Sequence, residues 1–180
     1  MKTVVLKGYI DADLVSRTTE QIADILEKNK DESISLEIDS DGGNMAQAIK
    51  FLKYVKIYVE GTNGTYVSVK IVNAKSSAAL VALSLGHKRV MKKDSVLELH
   101  RGTLQIEVKD IDVLTGRLVS GKLPEKTLAV LQDYTDRFLD LLKNFRIDSN
   151  PGSMAKLRLT GWLKLSAEEC LRLGMVDELF

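Results

Sequence analysis

The chain has 180 residues, 44% of them hydrophobic and 28% charged, with 12 glycines, two prolines and a single cysteine, a composition that fits one ordinary globular domain over 1–180. One cysteine excludes an internal disulfide framework and a cysteine-built zinc site, so a reducing, cytoplasmic setting is expected. The 26 Lys+Arg balance 25 Asp+Glu, which removes the bulk charge of a nucleic-acid or anionic-membrane binder; no apolar run is long enough to span a bilayer, and the opening MKTVVLKGYIDAD gains charge too early for a secretory signal.

Val4-Val5-Leu6 reads as a short buried strand ended by Gly8. Asp11 or Asp13 can cap a helix carrying Leu14, Thr18, Ile22 and Ile25/Leu26 on one face. The run Ser33–Ile38 alternates with period two and breaks at Asp39-Ser40-Asp41-Gly42-Gly43, after which Met45, Ala48/Ile49, Leu52 and Val55 return to helical spacing. Tyr66–Val72 is a third strand, and Asn73-Ala74-Lys75-Ser76-Ser77 leads into the small apolar helix Ala78–Leu83, closed by Gly86. Lys88–Met91 and Val96–Leu99 follow as two short strands, the second ending at His100. Repeated βα units of this kind predict an α/β fold around a largely parallel sheet. Beyond Gly102 the pattern changes: a helix of about six turns is predicted over 124–146, with Leu128, Leu131, Tyr134, Phe138, Leu141/Leu142 and Phe145 on one stripe. Such a helix is expected to project or to pack on a partner. Ser166-Ala167-Glu168-Glu169 has the form of a capping box opening a last helix that ends at Gly174.

Two strand-to-helix turns, Ser40–Gly43 and Asn73–Ala79, end at helix N-termini whose backbone N–H groups can hold an oxyanion. With a serine at the second turn and a histidine at the end of a neighbouring strand, the parts of a serine hydrolase are present in the order Gly-Gly, Ser, His. Each part alone has a plainer use, as a helix cap or a packed imidazole.

The ordered set Leu36–Gly43, Ser77-Ala78-Ala79, Leu97–His100 and Leu165–Cys170, ending in Leu173–Asp177, resembles the Clp protease proteolytic subunit and its relatives of the ClpP/crotonase fold. The resemblance runs over nearly the whole chain and implies repeated β-β-α/βα units with a long projecting handle helix at about 124–146. It implies Ser77 as nucleophile, His100 as general base and later acid, and Gly43 and Ala78 as backbone donors of the oxyanion hole, with Ser76 as the adjacent rival for the nucleophile. It further implies peptide or unfolded-protein substrates bound as an added strand, and a self-assembled homo-oligomeric ring. No metal or cofactor, no nucleic acid and no membrane is expected.

Several positions depart from the family pattern. Where those subunits carry an Asp, this chain has Leu159–Lys164 without a carboxylate, and Asp148 is the sole acid between Phe145 and Glu168; it is the candidate third triad member, the alternatives being Thr160, a backbone carbonyl or a Ser-His dyad. Asp41 replaces the usual Pro before Gly-Gly, and Lys75 near the nucleophile admits a lesser Ser-Lys alternative. The first strand begins near residue 3, leaving no axial loop, so dependence on a Clp-type ATPase is not expected. The missing Asp motivates a second reading, a catalytically weak or inactive scaffold or assembly subunit, while acyl-CoA chemistry on the same fold is disfavoured because it needs neither serine nor His100. Trp162 is assigned to packing or to the wall of a substrate pocket.

Overall fold

The computed structural model describes residues 1–100, 111–112, 117–118, 125–145 and 162–180. Its elements are β1 (Lys2–Lys7), α1 (Ala12–Lys28), β2 (Ile34–Ser40), α2 (Met45–Lys53), a wider π-helical continuation Tyr54–Thr62, β3 (Val67–Lys75), α3 (Ser77–Ser84), β4 (Lys88–Met91) and β5 (Val96–His100). After these come β6 (Ile111–Asp112), β7 (Arg117–Leu118), α4 (Glu125–Asn144), β8 (Trp162–Ser166), α5 (Ala167–Arg172) and β9 (Glu178–Leu179). The architecture is the expected mixed α/β class. The main sheet runs β1-β2-β3-β4-β9, all parallel. β5 joins the far end of β3 in parallel, and β8 pairs antiparallel with β5.

β3 is the hub. Its first half pairs with β4 and its last two residues, Ala74 and Lys75, pair with Leu97 and Glu98 of β5. Pairing with β2 shifts by one residue between Ile38↔Ile71 and Asp39↔Asn73, so Val72 is the extra residue of a bulge. The bulge changes the alternation: Val67, Val69 and Ile71 are buried before it and Ala74 after it. A bulge of this kind re-aims the end of a strand, here the end that carries the next turn.

The helices are capped by the residues their sequence offers. Asp11 accepts from Leu14 N at 2.8 Å, Asn44 accepts from Ala46 N at 2.9 Å, and Ser166 and Glu169 close the capping box of α5. α3 is too short to be stable alone and is held by burial, since Ala78 to Leu83 are all in the core. The apolar stripe of α4, expected to meet a partner, lies along this length on α2 and α3, burying Tyr134, Phe138, Leu141 and Leu142. Replacing Phe138 with Ala is expected to destabilise the chain by about 3–5 kcal/mol, read as a fall in the urea midpoint at unchanged slope.

Candidate active site

In a parallel sheet, ligands meet the carboxyl ends of the strands, and three such ends converge here. β2 ends at Ser40, whose hydroxyl donates to Gly8 O at 2.6 Å and accepts Gly42 N–H at 3.0 Å. The following glycines run between the Ile10 segment and the end of β3: Ile10 N donates to Gly42 O at 3.0 Å and Asn44 N to Ile10 O at 2.7 Å. Gly42 has φ 96°, and a Cβ on it would lie 2.7 Å from Ser76 Cβ and 2.8 Å from Lys75 O. Only glycine allows the two turns to approach so closely.

β3 passes into α3 through Ser76, which has φ 54° and ψ −127°. This conformation is strained for a residue with a side chain and persists only where the surroundings hold it. The hold is visible: Ser76 N donates to Glu98 O of β5 at 2.8 Å, while Ser76 O accepts from Ala79 N and Leu80 N in the first turn of α3. Thus the strand pairing fixes one side of the residue and the helix fixes the other.

The two serines then part company. Ser76, half-buried, brings its Oγ to 2.6 Å from His100 Nε2. Ser77 is buried, and its Oγ accepts Gly43 N–H at 3.0 Å. The hydroxyl within reach of the imidazole is therefore that of Ser76, while Ser77, favoured by the sequence pattern, faces the glycine turn. His100 is the last residue of β5 and is 8% exposed; its ring lies against that of Trp162 in a tilted contact, with centroids 4.1 Å apart. Gly43, Ser76, Ser77 and His100 line a cleft of about 660 Å³, whose other wall includes Tyr9, Met45, and Val130, Leu131 and Tyr134 of α4. Burial pushes the Tyr134 phenol up to about 12, so it stays a neutral hydroxyl at the cleft wall.

Around the turn, Asp41 Oδ1 accepts from Lys75 Nζ at 2.8 Å and from Asn73 Nδ2 at 2.9 Å. The hydrogen bond from Lys75, then that from Asn73, holds the Asp41 carboxyl below its usual range, and the same bond raises the Lys75 ammonium. A lysine acting as general base needs the opposite shift, so the Ser-Lys alternative loses its support. Asp41 and Lys75, which depart from the family pattern, instead join Asn73 in clasping the glycine turn to the end of β3. Ala78 lies one residue into α3, in its buried first turn. Asp148 and Thr160 lie outside the described residues. Strand β8 and the ring contact of Trp162 were not foreseen; the alternation Trp162-Leu163-Lys164-Leu165 was the signal, over a run too short to be decisive.

The chain matches the Clp protease family model over residues 1–180. It belongs to the Clp protease family. No curated protein matches it at a significant level. Family membership places the chain among ClpP-like peptidases at the level of the family. Among the described residues, no helix is long and apolar enough to cross a membrane.

Because Gly42 packs directly on Ser76, Gly42→Ala is expected to move the serine off its histidine. A displacement of about 1 Å can cost on the order of 10²-fold in rate, so phosphonylation of the variant by a fluorophosphonate should fall by about that factor.

Proposed function

We propose that this protein is a serine endopeptidase that hydrolyses peptide bonds through an acyl-enzyme on Ser76, with His100 as general base, acting on peptide or unfolded-protein substrates within a homo-oligomeric ring. The observation that carries this reading is the 2.6 Å approach of Ser76 Oγ to His100 Nε2 from a backbone conformation that exposes a nucleophile at a sharp strand-to-helix turn. We assign the nucleophile to Ser76 and not Ser77 on this contact and on accessibility, since Ser77 is buried.

In the first step Ser76 Oγ attacks the scissile carbonyl carbon while its proton passes to Nε2 of His100, which must carry its other hydrogen on Nδ1 to accept it. The tetrahedral oxyanion lies against backbone N–H groups. Gly43 N–H is one donor, and with Ser76 as nucleophile the second is Ser77 N–H, the residue after it, in place of Ala78. The N–H groups of a helix's first turn have no intrahelical acceptor and face a partially positive helix end. The Ser77 hydroxyl, now bonded to Gly43 N–H, turns aside to admit the substrate oxygen. Collapse of the intermediate breaks the C–N bond as His100 returns the proton to the leaving amine; water, deprotonated by His100, then releases the acyl group. Asp148 is the proposed orienting carboxylate for the imidazole. A substrate strand alongside the sheet supplies main-chain recognition with loose side-chain selectivity, and the apolar residues of the cleft receive a side chain next to the scissile bond.

The assignment is tested by fluorophosphonate labelling rates of three variants. Ser76→Ala and His100→Ala should abolish labelling, whereas Ser77→Ala, which removes the two neutral hydrogen bonds of Ser77 Oγ with Gly43, each of about 1 kcal/mol, should label within about tenfold of wild type. Loss in Ser77→Ala with retention in Ser76→Ala would move the nucleophile to Ser77. Absence of labelling in the wild-type oligomer would leave a non-catalytic assembly subunit.

A further inference from the structure

We propose that Trp162 is a positioning residue for His100: its indole face holds the imidazole plane so that Nε2 points at Ser76, and it receives the positive charge that develops on the ring during proton transfer. The inference rests on His100 being the general base, and it concerns a residue to which the hydrolase reading gives no part.

The geometry is specific. His100 and Trp162 are directly opposed across the antiparallel pair β5 and β8, the closest relation two side chains on neighbouring strands can have. Their ring centroids lie 4.1 Å apart with planes tilted by 39°, a close tilted contact inside the roughly 6 Å at which a cation meets an aromatic face. Trp162 is 47% exposed, whereas Leu163 and Leu165 of the same strand are buried. Core packing is thus done by the strand's other residues, and the indole is set at the strand's edge against the histidine. The ring contact also lies at a different point of the imidazole from the 2.6 Å Ser76 contact, which involves Nε2. A hydrogen bond fixes one atom of a ring, a ring packed against it restricts its plane, and a general base must keep its acceptor atom within reach of the proton it takes. Indole is the strongest of the aromatic faces toward a cation, so the same contact favours the imidazolium that exists once Ser76 has given up its proton.

The test compares Trp162→Phe, Trp162→Leu and Trp162→Ala in the rate of fluorophosphonate labelling at Ser76, with melting temperature recorded for each. Phe keeps a ring face and is expected to label within about threefold of wild type; Leu, which keeps apolar bulk without a ring, and Ala are expected to label about 30-fold to 100-fold more slowly, the scale of a misplaced catalytic group. A spectroscopic readout accompanies the rates. Trp162 is the single tryptophan and His87 the only other histidine, and His87 stacks on Tyr66. An imidazole packed against an indole quenches its emission, so tryptophan emission should be alike in wild type and His87→Ala and brighter in His100→Ala. Equal labelling of the Leu and Phe variants, or emission of His100→Ala equal to that of wild type, overturns the inference. If Ser76 labels at the same rate in all variants, only the role of Trp162 falls; if wild-type Ser76 does not label at all, the hydrolase reading falls and this inference with it.

Discussion

The site depends on one strained peptide unit. Ser76 sits at the end of β3 with φ 54°, a conformation that costs on the order of 1–3 kcal/mol for a residue with a Cβ. The hydrogen bond from its N–H to β5 and those from α3 to its carbonyl make any other conformation costlier still. From this constraint the rest follows. β5 must pair with the last residues of β3, which carries His100 to within reach of the serine hydroxyl; α3 must begin at the next residue, which turns its first N–H groups toward the same point; and the neighbouring turn must be glycine, because Ser76 Cβ already occupies the space a second Cβ would need.

The glycine turn is the other half of the device, and its support differs from that of the serine. It is hydrogen-bonded to the Ile10 segment on one side and tied through Asp41 to Lys75 and Asn73 on the other. The exposed ion pair adds little stability by itself. Its value lies in registration, because it links the loop that supplies Gly43 N–H to the strand end that supplies Ser76. Further out, α4 lines the cleft with Val130, Leu131 and Tyr134 while its inward stripe packs on α2 and α3, so the cleft wall and the hydrophobic core share one helix.

Much of this was legible in the sequence, for physical reasons. The strands through β5 and the helices α1 to α3 follow from period-two and helical spacing broken at glycines, and Asp11 and the Ser166/Glu169 box stand where caps must stand. The meeting of the glycine pair, the Ser76-Ser77 pair and His100 in one cleft was expected from their order along the chain. The division of labour between the two serines was not. A run Ser-Ser-Ala-Ala does not reveal which residue ends the strand and which begins the helix, and a shift of one residue exchanges the hydroxyl that meets His100 for the one that meets Gly43. The bulge at Val72 adds to this, since it offsets the strand by one residue and leaves no mark in composition. Trp162 escaped because β8 is short and pairs with a strand distant in sequence, and cross-strand opposition is a property of the fold.

The most direct measurement is a crystal structure of the protein after reaction with a fluorophosphonate. The account predicts a bond from phosphorus to Ser76 Oγ, the phosphoryl oxygen within hydrogen-bond distance of the backbone N–H groups of Gly43 and Ser77, the Ser77 hydroxyl displaced from Gly43, and His100 still in ring contact with Trp162. An adduct on Ser77 Oγ, or one on Ser76 with its phosphoryl oxygen turned away from the glycine loop, would contradict it.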